Sequence, residues 1–304
     1  MKLAIILLNW RNEARTTQAA GEIMAWTAPR PELIVVDNES NERSWATLQN
    51  DLPDTELVAS STNRGFAGGN NLGIRKALEG DCDVVLLLNS DAAVTETAAR
   101  ALLDRLSAEP TISILSPAIL ETDRHKMICL IGGRDIARHS FTRIAVDPKA
   151  LTGVAGFPLH EVDFVSGTAF LARRRVFEEI GLLDEDFFFS GEIADFCKRA
   201  RQAGHRICVD LTVEALHDTR QTPAELRDTL YAYYSLRNRF LYIRKHYWSN
   251  RRRYFLQWLK IGFREVARSV MVNNWARARA ILFALFHGCS GIYGNQNANI
   301  LPRD

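Results

Sequence analysis

The chain has 304 residues, 47% hydrophobic and 24% charged, with a formal net charge of +2: the make-up of an ordinary globular protein, long enough for one large α/β unit with a C-terminal extension. No stretch reaches the roughly 18 to 20 uninterrupted apolar residues that a membrane-crossing helix requires, and the opening "LAIILLNW" is too short, too soon charged and too poor in small residues to act as a secretory leader. Five scattered cysteines (Cys82, Cys129, Cys197, Cys208 and Cys289) with no C-x-x-C spacing exclude a disulfide framework and a structural zinc site, and point to the cytoplasm.

In the first half, the apolar runs "KLAIILLN", "ELIVVDN", "TELVAS" and "DVVLLLNSD" read as strands, separated by helical patterns near 12–27, 42–51 and 69–79. Repeated β-α units predict a mostly parallel, Rossmann-like sheet covered by helices on both faces. Each strand closes on polar groups at its C-terminal end: Asn9, Asp37, Ser60 to Asn63, and Asn89 with Asp91. Ligands of open α/β sheets bind along that edge.

Asp37 ends "IVVDNES", where a carboxylate can accept hydrogen bonds from a base or ribose, although a turn aspartate serves that position equally. "NRGFAGGNNLGIRKAL" places Gly65, Gly68, Gly69 and Gly73 around Asn63 and Asn71, allowing close backbone approach beside a helix N-terminus. The first strand-to-helix turn, "LNWRNEART", lacks glycine, which speaks against a G-x-G-x-x-G dinucleotide site, and no G-x-x-x-x-G-K-[ST] loop occurs. Asp91, in "LLLNSDAAV", projects an oxygen ligand of the kind that Mg²⁺ or Mn²⁺ takes when it bridges phosphates; a turn or helix-cap role is the alternative.

After a helix near 95–107 the pattern changes to short strands: "ILSPAIL", "ICLIGGRD", "SFTRIAV" and "EVDFVSGTAFLARR", then helices near 175–181 and 191–203. "FFFSGEIADFCKRARQAGHRI" sets Glu192 and Asp195 three residues apart, on one side of a helix, so that both could serve one site; the helix dipole alone would also favour acids there. The pair "HRICVD" and "TVEALHD" reads as two further strands, the second carrying His217, whose imidazole could complete a metal site begun by a distant aspartate; a satisfied surface or core histidine is the alternative. From about 223 the chain reads as helical. Residues 237–279 hold twelve Lys or Arg against Glu265, a net of +11, so the remainder carries −9 of the overall +2. Interleaved with Trp, Tyr and Phe, these charges suit an anionic inner membrane leaflet; a solvated helix face or a homo-oligomer contact is the alternative. No recognisable nucleic-acid motif accompanies the basic segment, so a nucleic-acid partner is not expected.

Taken in order, "LNW", "VVDNES", "N-x-G-F-A-G-G-N-N-x-G", "LLNSDAAV", "VSGTAFLARRRVFEEIGLLDEDFFF", "EIADFCKRARQAGHRI", "VEALHD" and "YYSLRNRFLYIRKH" resemble inverting glycosyltransferase family 2, and in particular its bacterial rhamnosyltransferase-like branch, over residues 3–246. The resemblance implies the GT-A (nucleotide-diphospho-sugar transferase) fold. It implies a catalytic domain over 1–222, with a nucleotide-binding half over about 1–110 and an acceptor-side half over about 111–222, followed by a helical, basic extension over 223–304. It further implies a nucleotide-binding acid at Asp37, a metal-binding acid at Asp91 and a metal-proximal histidine at His217, with Asn9, Asn63, Gly65, Asn71 and Asn89 on the donor side. The implied donor is dTDP-rhamnose, with UDP-sugars next, and the acceptor a glycan or lipid-linked glycan of a cell-surface polysaccharide.

One departure from the family pattern bears on mechanism. Where the family has approximately E-D-x-D-L-C, with the second acid as general base, this chain has Glu192-Ile193-Ala194-Asp195-Phe196-Cys197. Ile193 cannot take a proton, so the role falls to Glu192, which has the extra methylene to reach the same space, or to Asp195, or the chain is an impaired sugar-nucleotide-binding protein or partner subunit. "VSGTAF" and "DEDFFF" are expected to line the acceptor side, with Phe187 to Phe189 either stacking on the acceptor or packing in the core.

Overall fold

The computed structural model describes residues 1–123, 126–151, 158–218 and 224–301. The first half alternates as expected: β1 (Leu3–Asn9), α1 (Glu13–Met24), β2 (Glu32–Asn38), α2 (Glu42–Asp51), β3 (Glu56–Ser60), α3 (Gly65–Glu79) and β4 (Val84–Asn89). β3, β2, β1 and β4 lie side by side and parallel, in a register that pairs Asn9 with Asp37 and Leu8 with Asn89, so these polar strand ends share one edge.

Continuous apolar character is explained by burial on both faces. Leu3, Ile5 and Leu7 of β1 point toward α1, α2 and α4 (Glu96–Ala108), while Ala4 and Ile6 point toward α3 and toward α5 (Arg174–Ile180) and α6 (Glu192–Gln202). The glycines of α3 serve this packing. A Cβ on Gly69 would come within 2.5 Å of Leu8, and one on Gly73 within 2.5 Å of Ile6, so the helix lies close against the sheet because both are bare.

The second half adds β5 (Ala92–Ala93), β6 (Ile112–Asp123), β7 (Lys126–Gly133), β8 (Arg143–Val146), β9 (Leu159–Glu161), β10 (Ala169–Arg173) and β11 (Arg206–His217). β10 is antiparallel to both β4 and β6, β6 and β11 are parallel, and β5 closes antiparallel on β11. The whole is therefore a mixed sheet: β6 and β11 run in the same direction as the first four strands, so the mostly parallel arrangement continues past β10, which is inserted antiparallel between β4 and β6. Two strand readings change. "EVDFVSGTAFLARR" divides into β9, a connection over 162–168 and β10, and the two segments at 205–218 form the single strand β11, which shifts register between Asp210 and Glu214.

The helical C-terminal region comprises α7 (Ala224–His246), α8 (Arg251–Met271), α9 (Trp275–Ser290) and the short α10 (Asn297–Ile300). Its buried side chains, among them Tyr233, Phe240 and Ile281, share one cluster with Phe187, Phe188 and Ala194, so α7 to α9 are welded to the segment that leads into α6. Among the described residues no helix is long and apolar enough to cross a membrane.

Candidate active site

The site assembles where β4, β6 and β11 end. β11 pairs with β5 so that His217 stands opposite Ala92, and the Asp218 N–H donates to the Asp91 carbonyl at 2.9 Å. His217 Nε2 consequently lies 3.4 Å from Asp91 Oδ1. Its other ring nitrogen, Nδ1, is 3.2 Å from Glu121 Oε2 on β6, and Arg143 pairs with the other oxygen of Glu121. Glu121 is buried, and sequence reasoning missed both it and Arg143. A carboxylate that holds one imidazole nitrogen orients the other toward a ligand.

These groups border a cavity of about 650 Å³, which Asn89, Glu121 and His217 line on one side. Val165 to Thr168 and Phe189 line it as well, as do Tyr231 and Arg239 of α7. The "VSGTAF" segment thus faces the cavity. Ser166 Oγ accepts from the Thr168 N–H at 3.3 Å, and the Thr168 carbonyl accepts from the Asn89 N–H at 2.9 Å, which fastens this loop to the end of β4. Of the three phenylalanines, Phe187 and Phe188 are core residues and Phe189 alone reaches the cavity.

Glu192, the first residue of α6, also lines the cavity. It is 6% exposed, and its Oε2 has no hydrogen-bond partner among the described residues. Burial pushes its pKa up to about 7; its own backbone N–H opposes the shift and the negative charge of Asp195 adds to it. The segment ahead of it is tightly held. Phe188, Ser190 and Gly191 have φ of 61°, 68° and 102°, and Arg237 and Asn238 of α7 grip the strained turn. Arg237 Nη2 donates to the Phe187 carbonyl at 2.8 Å, and Asn238 Nδ2 donates to those of Phe187 and Phe189 at 2.9 Å each. Left-handed backbone at non-glycine residues costs about 1–3 kcal/mol each and persists only where the surroundings enforce it. In sequence, Arg237 counts among the basic charges suited to a membrane leaflet, but it is fully buried and spent on backbone carbonyls, and Asn238 carried no expected role.

Asp195 does not join Glu192 in the cavity. It is fully buried and accepts from Arg199 Nε at 2.8 Å and His246 Nε2 at 2.8 Å, with Lys245 Nζ at 2.7 Å. Burial alone would raise its pKa, but the His246 hydrogen bond and the Lys245 and Arg199 charges outweigh burial and hold it at about 2. Such a carboxylate is a weak base, already committed to Arg199, Lys245 and His246, and the expectation that both acids serve one site is corrected. Ile193, 5% exposed, packs beside Gly167 and presents its apolar side chain to the cavity wall next to Glu192.

The predicted donor-side residues share the strand-end edge, but several face inward. Asp37 is 2% exposed and accepts from Asn9 Nδ2 at 2.8 Å on one oxygen and from Ser44 Oγ at 2.7 Å on the other, so it straps β1, β2 and the start of α2 together. Asn71 is spent on the backbone of Leu183, donating at 2.8 Å and accepting at 3.0 Å. Asn63 Oδ1 accepts from the Gly65 N–H at 2.8 Å, and Gly65, with φ of 68°, lets the Phe188 carbonyl approach to where a Cβ would be 2.2 Å away. Close approach is thus the correct reading of Gly65, but it is to the protein's own backbone.

Asp91 and His217 fit a divalent cation. Both are partly accessible beside the cavity, and the buried Glu121 fixes the ring that would ligate. No group of three or more His, Cys, Asp or Glu side chains able to hold a metal exists among the described residues. Two protein donors suit an ion that takes its other ligands from phosphate oxygens and water.

A sequence profile described as Glycosyl transferase family 2 matches residues 6–181. The chain is 31% identical over 242 residues to the low-salt glycan biosynthesis hexosyltransferase Agl10 of Haloferax volcanii, covering 79% of this chain and 74% of that one. It is 23% identical over 227 residues to the dTDP-rhamnosyl transferase RfbF of Shigella flexneri, covering 71% of each. Among solved structures it resembles the mannosyltransferase PcManGT from Pyrobaculum calidifontis, in complex with GDP-Man and Mn²⁺, with a TM-score of 0.58 at 14% identity over 98% of this chain and 77% of that one. GalNAc-T7, with UDP, GalNAc and Mn²⁺, gives 0.56 at 16% identity over 78% of this chain and 51% of the other. These two likenesses concern the fold, which is GT-A.

Proposed function

The chain belongs to glycosyl transferase family 2, and from that premise we propose that it moves a sugar from a nucleoside diphosphate to an acceptor hydroxyl with inversion, using Glu192 as general base. The observation that carries this is the free Oε2 of Glu192, buried in the cavity wall with a pKa of about 7. In a single in-line displacement the acceptor oxygen bonds to the anomeric carbon, the bond from that carbon to the diphosphate oxygen breaks, and the acceptor's proton passes to Glu192. Mg²⁺ or Mn²⁺ held by Asp91 and His217 would offset the charge gathering on the departing diphosphate. Glu121 keeps the His217 ring in position, and Asn238 and Arg237 keep the turn ahead of Glu192 in place.

The reading divides the chain into a donor half over about 1–110, an acceptor half over about 111–222 and a helical extension from 223, with the work done in the cytoplasm. For the donor, dTDP-rhamnose is supported by the rhamnosyltransferase-like motifs and by the likeness to RfbF, and a hexose nucleotide by the likeness to Agl10. The acceptor is a glycan or lipid-linked glycan of the cell surface. A nucleotide-sugar panel assayed for nucleoside diphosphate release with Mn²⁺ or Mg²⁺ tests this: turnover that Glu192→Gln abolishes while donor binding persists supports it. A second reading follows from Ile193, an apolar core residue at the family's base position. Donor binding by calorimetry with no turnover on any acceptor would make the chain a sugar-nucleotide-binding partner subunit.

A further inference from the structure

The outward face of α8 carries Leu256, Phe263 and Val270 at seven-residue intervals, which places them in one stripe, 60%, 58% and 36% exposed. α9 repeats the device with Trp275, Leu282 and Phe286, and the turn between the helices presents Met271 and Val272 to solvent. The two stripes are continuous: Val266 and Val270 of α8 and Trp275, Leu282, Phe283 and Phe286 of α9 line one groove of about 460 Å³. Exposed apolar side chains scattered singly are ordinary, but a contiguous patch of aromatic and aliphatic groups marks a contact surface.

Its charge selects the partner. Arg253, Lys260, Arg264 and Arg268 are exposed along one side of the α8 stripe. Residues 251–290 hold eight Arg or Lys against Glu265 alone, and Glu265 is already engaged by Arg268 at 2.6 Å and Arg277 at 3.8 Å. A second copy meeting this face would set one cationic surface against another. Apolar groups interleaved with long cationic side chains match a boundary with anionic charge at its surface and hydrocarbon beneath, the cations reaching back to the headgroups along their own stems.

We propose that the α8–α9 face is a docking surface for an anionic lipid bilayer, entered by the apolar stripes and the Met271–Trp275 turn without crossing. Arg277, on the opposite side of α9 from this stripe, pairs at 2.5 Å with Asp228 in the cavity wall. The proposal does not depend on what the cavity catalyses.

The test is co-sedimentation of the full chain with phosphatidylcholine vesicles, with and without phosphatidylglycerol. Two double variants accompany it, Phe263→Glu with Trp275→Glu and Lys260→Glu with Arg264→Glu, with folding verified by circular dichroism. The expected result is binding to anionic vesicles alone, weakened by salt and reduced about tenfold or more by either pair. Absence of binding at low salt overturns the proposal. So does unchanged binding by the Phe263/Trp275 variant, which would make the attraction purely electrostatic. A dimer seen by sedimentation velocity without lipid, and dissolved by the same variants, would assign the face to a second copy and overturn it as well.

Discussion

Glu192 and Asp195 sit one helical turn apart on α6, yet burial raises one carboxyl to about 7 while the His246 hydrogen bond and the Lys245 and Arg199 charges hold the other at about 2. The difference lies in partners rather than in depth, since both are buried and only Asp195 is given Arg199, Lys245 and His246. The two acids accordingly make opposite predictions.

Glu192 must be ionised to accept a proton, so kcat/KM is expected to rise with pH up to about 7 and then level, and Glu192→Gln to lower kcat about 10²–10⁴-fold while donor binding is retained. Stability runs the other way. Between its ordinary 4.5 and about 7 the folded state keeps a proton that the unfolded chain has released, so stability falls as pH rises through that window. Glu192→Gln should therefore stabilise the protein by on the order of 2 kcal/mol above about pH 8 and by little in acid, as read from denaturant curves at the two extremes.

Asp195 contributes stability that is fully present above its ordinary 3.8 and is lost as pH falls through about 2. Asp195→Asn strands the cations around it and is expected to cost about 2–3 kcal/mol, the partners' access to solvent moderating the loss. A variant as stable as the parent in urea would contradict this assignment.

Glu121→Gln leaves His217 in place but weakens the carboxylate that orients its ring. Calorimetric titration with Mn²⁺ in the presence of a nucleoside diphosphate should show affinity lowered about 10–100-fold, with His217→Ala and Asp91→Asn lower still. An unchanged titration for Glu121→Gln would reduce its role to pairing with Arg143.

Gly65→Ala places a Cβ 2.2 Å from the Phe188 carbonyl at a φ of 68°. The turn ahead of Glu192 must then move, and the expected result is a loss of at least about 2 kcal/mol together with most activity. Gly21→Ala, with open space around it inside α1, should instead raise stability by about 0.5–1 kcal/mol in the same melting experiment.

How much of this was legible depended on how local the cause was. β1, β2 and β4 could be read because burial on both faces writes an unbroken apolar run. α2 matched its expected bounds, 42–51, with Asn41 and Ser44 capping it. β11 was read as two strands because the register shift after Asp210 interrupts its pattern. Asp91 and His217 could be paired only through resemblance, because 126 residues separate them, and Glu121 escaped notice because its value comes wholly from a histidine 96 positions away. The glycine-rich stretch was read correctly as a place of close approach and incorrectly as to what approaches: α3 meets the sheet and the Phe188 carbonyl. Asp195 carried the family's acidic pattern, but nothing nearby in sequence revealed Lys245 and His246 closing over it.

The grip of Arg237 and Asn238 on the Phe187–Ser190 turn has a consequence for how the protein can be taken apart. A fragment ending before α7 would retain every strand among the described residues, with Asp91 and His217, yet lose the clamp on the turn ahead of Glu192 and the Lys245 and His246 partners of Asp195. Exchange of C-terminal regions between relatives would meet the same obstacle: a transplanted tail must bring an arginine and an asparagine in the right register, or the left-handed turn ahead of α6 goes unheld.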